Sequence, residues 1–155
     1  LLRNPTAPLA SQTDANARRL VGTWYVRQSV TQVAQPGYQI EVSEPADGVL
    51  LFQSEAIGCV DTAALCESYD QILRLKSDGP GRWQVIETND DFPMDPLWVL
   101  WLDFDDRTAA IGGPTGKFVW IMDRSATGGS DRIIAARDIL DWYGYDTSKL
   151  VEVSP

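Results

Sequence analysis

The chain has 155 residues, which suits one domain and leaves little room for two. It carries 13 basic and 22 acidic side chains, a formal net charge of −9, so neither nucleic acid nor an anionic membrane surface is expected as an electrostatic partner. It contains no histidine, which excludes a Ser-His-Asp triad, a Cys-His pair, His-ligated haem and His-containing zinc sites. We predict no catalytic residue, no metal site and no cofactor.

The first 16 residues have the composition of a flexible leader, because Pro5 and Pro8 stand among small polar residues. We place a single domain at residues 17–155. Because the chain starts at Leu1 rather than Met, we expect a further N-terminal segment, such as a signal peptide, in the precursor. No apolar run approaches the roughly 20 residues of a membrane span, so no transmembrane segment is predicted.

Eight short runs of strand-forming residues follow, each closed by Gly, Pro, Asn or Asp. Turn formers such as Pro36-Gly37 and Asp78-Gly79-Pro80-Gly81 separate them. This spacing is typical of an antiparallel sandwich or barrel. The predicted strands cover residues 22–33, 38–44, 49–57, 69–77, 82–88, 97–104, 108–112 and 117–123.

The periodicity changes after the eighth run. Residues 130–143 place isoleucine and leucine on one side and charged residues on the other, which predicts an amphipathic helix. Ser130 is the expected N-cap and Gly144 the expected C-terminal stop. A last short strand is predicted at residues 149–153.

The two cysteines, Cys59 and Cys66, lie in a short segment with the composition of a loop. One interpretation is a local disulfide, which would indicate an oxidising compartment. The other is a pair of unrelated buried thiols. The spacing is not Cys-x-x-Cys, which disfavours a redox-active pair.

If the strands run alternately up and down, the connections fall at two ends of a barrel. The longer ones, at about residues 34–37, 58–68, 89–96 and 113–116, would surround an open mouth. The tight ones, at 45–48, 78–81 and 105–107, would close the other end. A barrel of eight strands encloses space for about one small ligand.

Four segments carry a resemblance to the lipocalins. Residues 22–24, Gly-Thr-Trp, resemble the Gly-x-Trp signature of the first strand. Residues 98–104 are similar to the second signature, with Leu and Phe at its Thr and Tyr positions, and residues 118–124 to the third, a strand that ends in Arg. Residues 144–150 resemble the tail of bacterial outer-membrane lipocalins. The resemblance implies an all-β fold: an eight-stranded antiparallel up-and-down β-barrel with one C-terminal helix outside and a short final strand.

The resemblance also implies structural roles at the closed end. Trp24 would plug the barrel, and Arg124 would lie over its ring in a cation–π contact. Gly22 would permit the tight approach of the chain from the leader. Asp103 belongs to the turn that ends the second signature.

Strand alternation suggests which side chains face the ligand. If Arg124 sits at the base, the apolar residues two, four and six positions before it share its face. In the strand at 97–104, which is apolar on both faces, we predict Trp98 inside and Trp101 facing the helix. For each aromatic residue, ordinary core packing is the alternative. The predicted ligand-binding residues are Trp120, Phe118, Trp98, Met122, Phe52 and Tyr69.

The resemblance implies binding or transport of a small hydrophobic ligand, such as a fatty acid or lysophospholipid, and not catalysis. One alternative is an enzyme of lipocalin fold, with polar residues in the cavity; the candidates within strands are Gln28, Gln53, Glu55 and Arg74. Another is a protein-interaction module acting through the mouth loops. We expect a periplasmic, outer-membrane-anchored or secreted protein of the bacterial cell envelope, as a monomer or dimer. An anchored form would carry its lipid on the preceding segment.

Overall fold

The structure is a computed structural model and describes residues 1–30, 39–55, 71–88 and 94–153. The nine strands and the long helix follow one another in the predicted order, and two short helices that were not predicted are also present. They are α1 (Ala17–Leu20), β1 (Gly22–Ser29), β2 (Gln39–Ala46), β3 (Val49–Glu55), β4 (Gln71–Ser77), β5 (Arg82–Thr88), β6 (Leu97–Leu102), β7 (Thr108–Gly112), β8 (Val119–Asp123), α2 (Ser130–Trp142), a 3₁₀ helix (Thr147–Lys149) and β9 (Val151–Glu152).

The strands form one closed antiparallel barrel. Each of β2 to β7 pairs with the next strand in sequence, β8 pairs with β1, and β1 pairs with β2 to close the ring. The register at the closure sets Trp24 opposite Ile40 and Thr23 opposite Glu41. β9 is a ninth strand that pairs with the end of β1. The predicted eight-stranded up-and-down barrel is therefore confirmed.

The two faces of the sheet bury different sets of apolar residues. The inner layer lines the barrel interior, and the outer layer lies between the barrel and α2. Every residue of β7 and β8 is buried. The inner faces of these strands line the barrel interior, and α2 covers their outer faces. The helix side of the outer layer consists of Ile133, Ala136 and Leu140.

Helix α2 ends within one residue of its predicted limit, but it begins differently. Its N-cap is Gly129, with φ of +68° and no side-chain capping bond, and Ser130 is the first helical residue. The prediction of Ser130 as N-cap is therefore wrong. A glycine takes the left-handed conformation at little cost, which places the turn one residue earlier than a serine cap would. Gly144, with φ of +87°, follows the C-cap Tyr143 as predicted.

The segment predicted as a flexible leader makes specific contacts with the barrel and the end of α2. The Arg3 side chain donates to the Tyr143 carbonyl at 3.0 Å, and the Asn4 amide donates to the Gly144 carbonyl at 2.7 Å. Further along, the Gln12 amide donates to the Val99 carbonyl of β6 at 2.8 Å. The segment is thus packed along the domain, and the boundary at residue 17 stays a prediction.

The final strand is shorter than predicted. The 3₁₀ helix takes residues 147–149, so that β9 begins at Val151. The Asp146 side chain caps that helix by accepting from the Ser148 amide at 3.2 Å. Within the described ranges, the helices lack the length and apolar character that crossing a bilayer requires.

Candidate functional site

The closed end of the barrel is built around Trp24, which has no exposed surface. Its indole Nε1 donates to the Leu20 carbonyl of α1 at 2.7 Å. The guanidinium carbon of Arg124 lies 3.7 Å from the centroid of the Trp24 ring system, a stacked cation–π contact. The short helix α1 and the end of β8 thus meet over one aromatic side chain.

Arg124 also ties the surrounding backbone together. Its Nε donates to the Asp106 carbonyl at 2.9 Å, its Nη1 to the Val21 carbonyl at 3.0 Å and its Nη2 to the Arg19 carbonyl at 2.8 Å. Burial lowers the pKa of Arg124. A Cβ on Gly22, whose φ is +114°, would lie 2.8 Å from Nη1 of Arg124, so this position has a steric as well as a conformational requirement for glycine.

Asp103 organises the turn that connects β6 and β7. It accepts from Nε and Nη2 of Arg107 at 2.7 and 3.2 Å, and this hydrogen-bonded ion pair lowers the pKa of the Asp103 carboxyl group. Nε of Arg19 is 2.6 Å from the Asp106 carboxylate in the same turn. We call Arg19, Trp24, Asp103, Asp106 and Arg124 the basal network.

A second buried ionic contact, which the sequence reasoning missed, fastens α2 to the barrel. Asp123 at the end of β8 is fully buried and accepts from the Thr108 hydroxyl and from the Ser125 amide, the latter at 2.9 Å. Nη2 of Arg132 on α2 lies 3.3 Å from the same carboxylate. The available signal was an aspartate that ends an apolar strand shortly before a helix with an arginine in its first turn.

The inner layer contains four of the six predicted ligand-binding residues. Phe118 and Trp120 have ring centroids 5.5 Å apart, tilted by 30°. Trp120 lies opposite Ile111 of β7, and Met122 lies opposite Val26 of β1. Their contact with a ligand stays a prediction. The four inner-layer residues are Phe52, Phe118, Trp120 and Met122.

Trp98 lies on the outer face of the barrel, not in the interior where alternation placed it. It packs with the outer layer, and the guanidinium carbon of Arg82 stands 3.9 Å above its ring system. A bulge between Val99 and Trp101 interrupts the alternation of β6, so that Leu100 and Trp101 both belong to the outer layer. The inward residues of β6 are Leu97, Val99 and Leu102.

The remaining candidates fall into two groups. Tyr69 and both cysteines, Cys59 and Cys66, lie outside the described residues, as does the side chain of Glu55. The other three polar strand residues are directed away from the interior: Gln28 accepts from Nη1 of Arg137 on α2 at 2.6 Å, Gln53 is exposed, and Arg74 lies 3.3 Å from Glu87. They cannot serve as acid or base for a ligand inside the barrel.

Trp83 is an inner-layer residue that the sequence reasoning overlooked. It is 3% exposed, and its indole Nε1 has no hydrogen-bond acceptor among the described residues. The available sequence signal was alternation in β5, where the apolar Trp83 and Val85 alternate with the polar Arg82 and Gln84. Among the described residues, no group of three or more acidic or cysteine side chains is placed to hold a metal ion.

No protein-family model and no curated protein matches the sequence. Solved structures do match it. Lobster apocrustacyanin A1 is 16% identical, with a TM-score of 0.69 over 99% of this chain and 93% of that one. The cockroach allergen Per a 4 is 11% identical, with a TM-score of 0.67 over 97% of this chain and 96% of that one.

Insecticyanin from the tobacco hornworm Manduca sexta is 12% identical, with a TM-score of 0.66 over 96% of this chain and 85% of that one. Identities this low show the fold alone. The closed barrel, the outer helix and these neighbours together show that the chain has the lipocalin fold.

Proposed function

We propose that the chain binds a small hydrophobic ligand inside the barrel and does not catalyse a reaction. The observation that carries the proposal is an apolar inner layer with four aromatic side chains besides the basal Trp24: Phe52, Trp83, Phe118 and Trp120. Burying apolar ligand surface contributes about 25 cal/mol per Å², so such a lining can hold a hydrophobe with few polar contacts.

The distribution of charge supports the same proposal. Among the described residues, the buried charged side chains are Arg3, Asp103 and Asp123. Arg3 bonds the end of α2, Asp103 the closed-end turn, and Asp123 the Thr108 and Arg132 side chains beneath α2. None belongs to the inner layer, which therefore suits an apolar ligand body.

Titration with the fluorescent hydrophobe N-phenyl-1-naphthylamine tests the proposal. We expect saturable binding with one site per chain, and displacement by dodecanoic acid or a lysophosphatidylcholine if the finer prediction of a fatty acid or lysophospholipid is right. Trp120→Ala should weaken binding about 10-fold or more, because an inner aromatic is lost. Trp101→Ala, on the outer face, is the matched control. Absence of saturable binding by the wild-type chain contradicts the proposal.

We also propose a location in a bacterial cell envelope. Its support is the resemblance of residues 144–150 to the tail of outer-membrane lipocalins. Fractionation of cells that express the full precursor, with mass determination of the mature protein, tests the location and the lipid anchor together. Recovery in the cytoplasm with an unmodified N-terminus contradicts both.

A further inference from the structure

We propose that the bound ligand presents a neutral hydrogen-bond acceptor, such as a carbonyl oxygen, to the indole Nε1 of Trp83. This inference rests on the proposed binding function and specifies the ligand that the barrel accepts. The ligand would make one polar contact, with Trp83, within an apolar lining.

The orientation of Trp83 follows from its neighbours. Arg82 is directed outward, where it stacks on Trp98 and donates to the Ser11 hydroxyl at 2.9 Å. Successive side chains of a strand point to opposite faces, so Trp83 points inward. It lies opposite Leu97, another inner-layer residue, which is fully buried.

The indole of Trp83 differs from that of Trp24 in one respect. Both are buried in the inner layer, but Nε1 of Trp24 has the Leu20 carbonyl as acceptor, whereas Nε1 of Trp83 has none among the described residues. Buried donors in native proteins are nearly always paired, and an unpaired one is costly. Indole nitrogen can only donate, so the missing group must be an acceptor.

The surroundings favour a neutral acceptor over a carboxylate. An ionised group inside an apolar layer needs a partner charge. The cation nearest in sequence, Arg82, is on the opposite face and is already stacked on Trp98. An uncharged oxygen can accept from Trp83 without that requirement.

Binding of three ligands of equal chain length tests the inference: 2-dodecanone, dodecane and dodecanoic acid, each measured by displacement of N-phenyl-1-naphthylamine. For the wild-type chain we expect 2-dodecanone to bind about 10-fold more tightly than dodecane, the gain of one hydrogen bond in an apolar site. Trp83→Phe should abolish that preference, so that this variant binds 2-dodecanone and dodecane about equally. Trp98→Phe, which alters the outer face, should keep it.

Replacement of Trp83 by 3-benzothienylalanine removes the N–H while retaining the shape, and it serves if Trp83→Phe does not fold. A preference for 2-dodecanone that persists without the N–H overturns the inference. Equal binding of 2-dodecanone and dodecane by the wild-type chain also overturns it, because it would indicate that water accepts the hydrogen bond of the indole. Tighter wild-type binding of dodecanoic acid that is lost on removing the N–H overturns the neutral acceptor. If the wild-type chain binds neither the probe nor any of the three ligands, the proposed function itself fails.

Discussion

The basal network and the rest of the inner layer of the same barrel differ in whether their polar groups have partners. At the base, the indole of Trp24 has a carbonyl acceptor and Arg124 donates to several backbone carbonyls. Elsewhere in the inner layer, the indole of Trp83 has no acceptor among the described residues. Phe118 and Trp120 there contribute aromatic surface.

From this difference we infer that the base of the barrel stabilises the fold, whereas the rest of the inner layer binds the ligand. A region whose donors and acceptors are already paired gains little from a ligand, and loses much when one member is removed. A region of apolar surface with an unpaired donor gains from a ligand of matching chemistry. We therefore expect substitutions at the base to change mainly the free energy of unfolding, and substitutions of inner aromatics to change mainly ligand affinity.

Trp24→Ala should produce the largest loss of stability, about 4 kcal/mol, because it leaves a cavity under Arg124 and removes the contact between α1 and β8. Urea unfolding followed by circular dichroism measures it. The control is Trp142→Ala on α2, where the side chain is 72% exposed and the change should stay within about 0.5 kcal/mol. A loss no greater than that of Trp120→Ala would contradict the division between base and interior.

Arg124→Lys should cost about 2 kcal/mol, although the charge is kept. A lysine ammonium cannot reproduce the planar fork that contacts four separate backbone carbonyls and stacks on Trp24. The same unfolding assay applies, with the exposed Arg18→Lys as control. Equal stability of the Arg124→Lys and Arg18→Lys variants would mean that a positive charge at position 124 is enough to stabilise the base.

Gly22→Ala should be about 1 kcal/mol more destabilising than Gly128→Ala. Both glycines have positive φ, so both variants carry backbone strain. A Cβ at Gly22 also meets Arg124 at 2.8 Å, whereas one at Gly128 meets nothing within 4 Å. The difference between their thermal midpoints combines this clash with the less favourable φ of Gly22, +114° against +79° at Gly128, and a difference of zero would contradict both contributions.

The smallest expected effect is a pH dependence from Asp103. Its folded pKa is lowered below 3.8 by the hydrogen-bonded Arg107, so the ionised form favours folding. This contribution is complete above about pH 4, the usual range for an unfolded aspartate, and is lost as the pH falls through the folded pKa. Asp103→Asn and Arg107→Gln should each make stability less dependent on pH between about 5 and 2. Unchanged slopes in both variants would contradict a role for this pair.

The pattern of strands and turns was predictable because the physics behind it is local. Gly, Pro, Asn and Asp mark turns through backbone preferences, and a change from period 2 to period 3.6 marks α2. The places of Phe118, Trp120 and Met122 followed from counting back from Arg124, since β8 is regular over that stretch. Trp98 was misplaced because β6 is apolar on both faces, so residue type did not distinguish inside from outside, and the bulge leaves both Trp98 and Trp101 in the outer layer.

The sequence by itself determined the order of the elements, the closed barrel implied by its three signatures, and the residues that meet at its base. Only the tertiary structure decided which tryptophans face inward, because a bulge shifts alternation without a signal in residue type. It also decided which buried donor lacks an acceptor, since pairing at Trp83 depends on groups from several strands that are distant along the chain.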